Sequence, residues 1–242
     1  MMLLLDVGNT RLKWGLREAD RWLAQGAFAH DEAWDFSAVL PPPGQVAAVY
    51  GASVVSPELR ARVAEALAPW GHVPQWLVPA REACGVRNSY EVPTRLGADR
   101  WAALIGARAH GAAPCLVVTA GTATTIDVLD ADGVFRGGLI APGVDLMRRA
   151  LAGNTAQLPL VDGRIVDLPT CTADAIQMGC LHAQAGAIER MYRQVADLPG
   201  ACCLLNGGAA AQIAPLLGIP WRQIDNLVLD GVAVAVGHGC FR

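Results

Sequence analysis

Leu3-Leu4-Leu5-Asp6-Val7-Gly8-Asn9-Thr10 opens the chain, and Leu116-Val117-Val118-Thr119-Ala120-Gly121-Thr122 echoes it roughly half a chain later. Each begins with an apolar run of the kind that makes a buried strand. Each then runs into a glycine turn followed by hydroxyl or amide side chains. Arg11-Leu12-Lys13-Trp14-Gly15 follows the first and Thr125-Ile126-Asp127-Val128-Leu129 the second, both alternating as a returning strand does. Asp130-Ala131-Asp132-Gly133 then supplies a hairpin turn before Val134-Phe135. Two related domains, residues 1–113 and 114–242, joined near Gly111-Ala112-Ala113-Pro114, fit this repeat better than one continuous sheet.

Helices fall between the strands. Ser56-Pro57-Glu58 is an N-cap with proline in the first helical position, and Leu59, Val63 and Leu67 recur every four residues. Trp101, Leu104 and Ile105 give residues 98–109 a helical face. Further helices are expected over 142–151, 172–195, from Asn206-Gly207-Gly208 to about Leu217, and over 230–239. Strands alternating with helices make the class α/β.

With 242 residues, there is enough chain for one large or two compact cores. Apolar residues make up 53% and charged ones 17%, and the net charge is −3 with basic residues scattered, which argues against a nucleic-acid groove. The apolar start reaches Asp6 too early for a signal-peptide core, and no uncharged run approaches the ~20 residues of a membrane span. A cytoplasmic protein with no membrane partner is expected. Seven cysteines, with Cys202 and Cys203 adjacent, read as free thiols rather than disulfides or a metal knuckle. The histidines His30, His72, His110, His182 and His238 have no metal-ligand spacing and read as ordinary core or surface residues.

A phosphate needs backbone N–H groups that approach it closely, with hydroxyls and a cation nearby. Gly8 and Gly121 remove the side chain where the backbone must bend toward it. Asn9, Thr10, Thr122, Thr124 and Thr125 are hydrogen-bond donors to phosphate oxygens, and Lys13 is long enough to reach one. Asp6, at the end of a buried strand, suits Mg²⁺ held through its waters. A lone Gly-Asn turn would read equally as an ordinary hairpin; the second copy in the same context favours a nucleotide. The glycine-lysine phosphate loop and the protein-kinase signatures are both absent.

This pattern resembles the superfamily of acetate and sugar kinases, hsp70 ATPase domains and actin. That resemblance implies duplicated ribonuclease H-like (actin-like ATPase) domains with the nucleotide in the cleft between them, and Asn206-Gly207-Gly208-Ala209 fits its adenosine turn. Asn88-Ser89-Tyr90, Arg95-Leu96-Gly97-Ala98-Asp99-Arg100-Trp101, Gly137-Gly138-Leu139-Ile140-Ala141-Pro142-Gly143 and Thr172-Ala173-Asp174-Ala175-Ile176-Gln177 narrow it further. In order and over nearly the whole length, they closely resemble type III pantothenate kinases.

That resemblance implies ATP-dependent phosphorylation of the terminal hydroxyl of pantothenate, the first committed step toward coenzyme A. It makes Asp99 the general base. It places Tyr90, Gly97, Ala98, Asp99, Arg100 and Thr172 around pantothenate, and Asp6, Val7, Gly8, Asn9, Thr10, Arg11, Leu12, Lys13 and Thr124 around ATP. It also implies a homodimer. By position alone, Asp99 reads rather as a first-turn carboxylate complementing a helix dipole; the surrounding motif reverses that in favour of the base. A kinase for another small hydroxylated substrate, and a nonenzymatic nucleotide-binding accessory protein, are the alternative readings. Many relatives carry aspartate where this chain has Thr119, associated with a bound potassium or ammonium ion. A neutral threonine leads to the expectation of weak or absent monovalent-cation dependence.

Overall fold

A computed structural model describes residues 1–155, 158 and 160–241. The chain divides into two compact units: Met1–Gly111 together with the segment that starts at Asn226, and Ala112–Asp225. The domain boundary expected from the repeat therefore changes at its far end, because the last stretch returns to the first unit.

In the first unit, β1 (Met2–Val7), β2 (Arg11–Glu18) and β3 (Arg21–Ala29) form an antiparallel meander. On the other side of β1, β4 (Ala48–Ser53) and β5 (Gln75–Trp76) add in parallel. The sheet order is thus β3-β2-β1-β4-β5. Leu3, Leu5 and Val7 of the central strand bury themselves with Leu12, Trp14 and Phe36. Helix α1 (Pro57–Ala66) starts as its sequence dictates, with Ser56 Oγ accepting from the Leu59 N–H and proline at the first position. A short hairpin, β6 (Glu82–Ala83) and β7 (Val86–Asn88), precedes α2 (Ala98–Ala109).

The returning segment forms α6 (Leu227–Val236), which lies against α2. Two glycines make this approach possible. A β-carbon at Gly106 would meet the Leu227 carbonyl at 2.5 Å, and one at Gly231 would overlap the Ala102 carbonyl. Backbones this close bury α6 almost entirely in small and aliphatic side chains, and Leu227, Val232 and Ala235 are fully buried. That packing takes the terminal helix out of the second domain.

The second unit repeats the first unit's topology. Strands β8 (Cys115–Ala120), β9 (Ala123–Leu129) and β10 (Val134–Pro142) form the antiparallel meander, and β11 (Cys202–Asn206) and β12 (Trp221–Gln223) add in parallel beside β8. Helices α3 (Val144–Asn154) and α4 (Thr172–Tyr192) cover it, with Met178, Leu181, Ala185 and Ile188 packed on Leu116, Val118 and Ile126.

Element ends differ from expectation where glycine or proline intervenes. β10 continues to Pro142, so α3 starts only after Gly143, whose N–H is held by the Thr122 carbonyl at 2.9 Å. After Gly207, in the left-handed region at φ +100°, the expected helix shortens to α5 (Ala210–Ile213) and a 3₁₀ turn over Ala214–Leu216 containing Pro215.

Candidate active site

Asp6 sits at the end of β1, paired in register with Lys13 on β2 and Ala52 on β4. It is 9% exposed, and burial pushes its carboxyl up to about 6. The Lys13 ammonium opposes that rise, and the Asp99 charge adds to it. The turn that follows is closed by the Gly8 N–H on the Arg11 carbonyl at 3.1 Å. Asn9, Thr10 and Arg11 of this turn are exposed, whereas Val7 and Leu12 are fully buried. The two apolar residues therefore anchor the loop, and the polar ones face outward. His30 supports it from behind: its Nε2 lies 2.6 Å from the Gly8 carbonyl, which can only accept, so Nε2 carries the proton. Arg62 holds the His30 and Glu32 carbonyls at 2.8 and 3.0 Å and stacks 4.2 Å from the Trp34 ring centre.

Asp99 lies in the first turn of α2, and its Oδ1 accepts from the Arg100 N–H at 2.7 Å. Burial raises its carboxyl above the ordinary range, against the pull of that N–H and of the Arg100 charge. Ala98 is buried beside it. Arg100 is 5% exposed; its guanidinium donates to the Tyr90 hydroxyl at 2.8 Å and lies 5.7 Å from that ring's centre. Tyr90 is in turn held by its neighbours. Its N–H donates to Asn88 Oδ1, while Asn88 Nδ2 donates to the Ala80 and Pro93 carbonyls at 3.2 and 3.1 Å. Arg81 donates to the carbonyls of Asn88, Tyr90 and Glu91. Asp6 to Lys13 and Tyr90 to Arg100 thus belong to one unit, with the Asp99 charge felt at Asp6.

In the second unit the corresponding strand end carries Thr119, paired with Thr125 on β9 and Asn206 on β11. Asn206 Nδ2 lies 3.4 Å from Thr119 Oγ1. A neutral row across three strands takes the place that Asp6 and Lys13 hold in the first unit. This turn is one residue tighter, with the Gly121 N–H on the Ala123 carbonyl at 3.0 Å. Gly207 supports it, since a β-carbon there would overlap the Ala120 carbonyl, which instead accepts the Ala209 N–H at 3.1 Å. Thr124 is fully buried, and its Oγ1 has no hydrogen-bond partner among the described residues. Asp127 is also buried, in space left by the missing side chain of Gly138.

Thr172 opens α4 and is exposed, lining a cavity of about 660 Å³ with Met147, Cys171 and Ile176. Two residues on, Asp174 receives three hydrogen bonds from Arg164, which hold its carboxyl down at about 2.

A family model described as type III pantothenate kinase matches residues 2–194. This chain belongs to that family. The type III pantothenate kinase of Aromatoleum aromaticum is 57% identical over 97% of each chain. That of Azoarcus sp. strain BH72 is 50% identical over 97% of this chain and 90% of its own. Among solved structures, a Baf family transcriptional activator from Campylobacter jejuni overlaps with a TM-score of 0.61 at 18% identity, over 98% of both chains. The ethanolamine utilization protein EutJ from Carboxydothermus hydrogenoformans overlaps with a TM-score of 0.55 at 14% identity, over 96% of this chain and 89% of its own. At those identities the likeness is one of fold: the duplicated ribonuclease H-like architecture of the actin-like ATPases.

As a type III pantothenate kinase, the chain has a donor set that bears on the metal. Among the described residues no group of three or more His, Cys, Asp or Glu is placed to hold an ion. A single buried carboxylate at Asp6 suits an ion carried mostly by water and phosphate oxygens rather than a protein cage. Among the described residues, no helix is long and apolar enough to cross a membrane. Sequence reasoning missed Arg81 and assigned His30 no role. An arginine that works through three backbone carbonyls carries no motif, and the His30 bond to Gly8 spans 22 residues.

Proposed function

We propose that this chain transfers the γ-phosphoryl group of ATP to the terminal hydroxyl of pantothenate, giving 4′-phosphopantothenate on the way to coenzyme A. Membership in the type III pantothenate kinases supports the substrate pair. The observation that carries the chemistry is the presence in one unit of two carboxylates on separate elements, Asp6 and the partly buried Asp99, both raised by burial, with the Asp99 charge acting on Asp6.

The exposed turn from Asn9 to Arg11 and the side chain of Lys13 would hold phosphate oxygens, with Gly8 letting the backbone approach. Thr124 would contribute its unpartnered hydroxyl once the tight turn in front of it gives way. A divalent ion on Asp6, which we take to be Mg²⁺, would neutralise phosphate charge. Arg100, Tyr90, Gly97, Ala98 and Thr172 would position pantothenate. The carboxylate of Asp99 would take the hydroxyl proton, and its raised pKa makes it a stronger acceptor. Because the transition state is loose, alignment of hydroxyl and phosphate contributes much of the rate.

The exposed apolar residues Leu146, Leu151, Leu160, Ile165 and Leu168 support a homodimer; light scattering on the purified protein would test it. The expected setting is the cytoplasm. The direct test of the function is incubation with Mg-ATP and pantothenate, followed by detection of 4′-phosphopantothenate and ADP. ATP binding without product would defeat the proposal in favour of an accessory protein.

A further inference from the structure

The hairpin between β6 and β7 turns through two residues, Cys84 at φ +53° and Gly85 at φ +73°, with Ala83 paired to Val86. Left-handed backbone at both central positions is the type I′ turn, whose first position is normally asparagine, aspartate or glycine. Cysteine gains nothing from that conformation, so its presence there calls for a reason in its side chain. The thiol points at another. Cys240 is the neighbour that acts on the Cys84 thiol, and both line a cavity of about 500 Å³ with Val78, His238 and Phe241. Both are partly exposed. The segment following α6 is fixed in place there: the Cys240 carbonyl accepts from the Val78 N–H at 3.4 Å, and Leu77 bridges to Phe241. Cys240 Sγ also lies 3.7 Å from the His238 carbonyl.

We propose that Cys84 and Cys240 are a reversible redox pair, closing to a disulfide under a mild peroxide oxidant and reopening with a thiol reductant. The chemistry divides between them. Burial and the neighbouring Cys240 push Cys84 up to about 12, which keeps it protonated and leaves Cys240 to meet the oxidant first. The Cys240 sulfur takes an oxygen from hydrogen peroxide, releasing water, and becomes a sulfenic acid. The Cys84 sulfur then attacks the Cys240 sulfur and gives up its proton to the departing oxygen. The disulfide forms, and the sulfenic oxygen leaves as water. In sum, two thiols and one peroxide give one disulfide and two waters. The bond ties the segment after α6 to the hairpin that continues into Asn88 and Tyr90. The pairing follows from where the two thiols sit and is independent of the proposed kinase activity.

The test uses the reduced full chain at low concentration, treated with a small excess of hydrogen peroxide. Free thiols are then alkylated and the protein is digested without reduction for mass spectrometry. The expected result is a Cys84–Cys240 linked peptide, loss of two alkylatable thiols, and full recovery of both with dithiothreitol. Cys84→Asn suits the turn and keeps the fold; in it the link must vanish and Cys240 must accumulate as a sulfenic acid that dimedone captures. If both thiols stay alkylatable in the wild type, or if Cys240 links equally to another cysteine, the proposal is overturned.

Discussion

Asp99 Oδ1 fills the space where a side chain at Gly97 would begin: a β-carbon there would fall 2.5 Å from that oxygen. Gly97 has φ −57° and ψ 136°, angles open to any residue. Backbone freedom is therefore not the reason for glycine; room for the carboxylate is. We predict that Gly97→Ala folds with little change in Tm but loses turnover by roughly 10²-fold, the usual cost of a misplaced reacting group. Asp99→Asn should show a loss at least as large in the chemical step. Rapid-quench kinetics and a thermal melt check both, and wild-type turnover in either variant would remove Asp99 from the role of base.

The pH dependence follows from Asp6. Its carboxyl lies at about 6 when folded, against 3.8 ordinarily, so between those values the folded chain binds more protons than the unfolded one. Asp6 therefore costs the fold stability as pH rises through that window. Metal-nucleotide binding has the opposite sign, because it needs the carboxylate. Affinity for Mg-ATP should strengthen about tenfold per pH unit up to about 6 and then level off. Lys13→Met should move the bend upward and Asp99→Asn downward, both readable by calorimetric titration. A bend that ignores both substitutions would mean that another group governs binding.

Asn88 is 1% exposed and makes three hydrogen bonds that set the backbone around Tyr90. Asn88→Ala should cost roughly 1–2 kcal/mol in denaturant unfolding by removing the donor to the partly buried Ala80 and Pro93 carbonyls. Tyr90→Phe should leave stability nearly unchanged and raise the pantothenate KM roughly tenfold, since it removes the acceptor that orients Arg100. Equal effects of the two on KM and stability would contradict this division.

At Thr119 the cation question can be tested by adding a charge. Wild-type activity should be nearly the same in potassium, ammonium or a bulky organic cation. Thr119→Asp places a carboxylate beside Asn206 and should create potassium activation. Strong potassium activation of the wild type would show that Thr119 and its neutral neighbours suffice.

Much of this was legible in the chain. The two turns declare themselves because an apolar run ending in glycine is a local pattern, and α2 begins and ends where its periodicity says. What was not legible depends on distant contacts. Nothing near residues 227–236 reveals that Gly231 must meet Ala102, so the terminal helix reads as part of the nearer repeat. Arg81 acts on carbonyls, which every residue possesses, and the reach of His30 to Gly8 exists only after β1 to β3 have paired. Within the site, Asp6 and Asp99 were readable by type, but their shared electrostatics required burial.

The α2–α6 contact also sets a timetable for biosynthesis. A ribosome releases the first hundred residues long before Leu227–Val236 appear, so α2 emerges with its Ala102–Gly106 face uncovered. The first unit cannot complete its core as a nascent chain; it waits for the whole second unit to be translated. Vectorial, domain-by-domain maturation is thereby closed to the first unit, whose last helix is translated after the second.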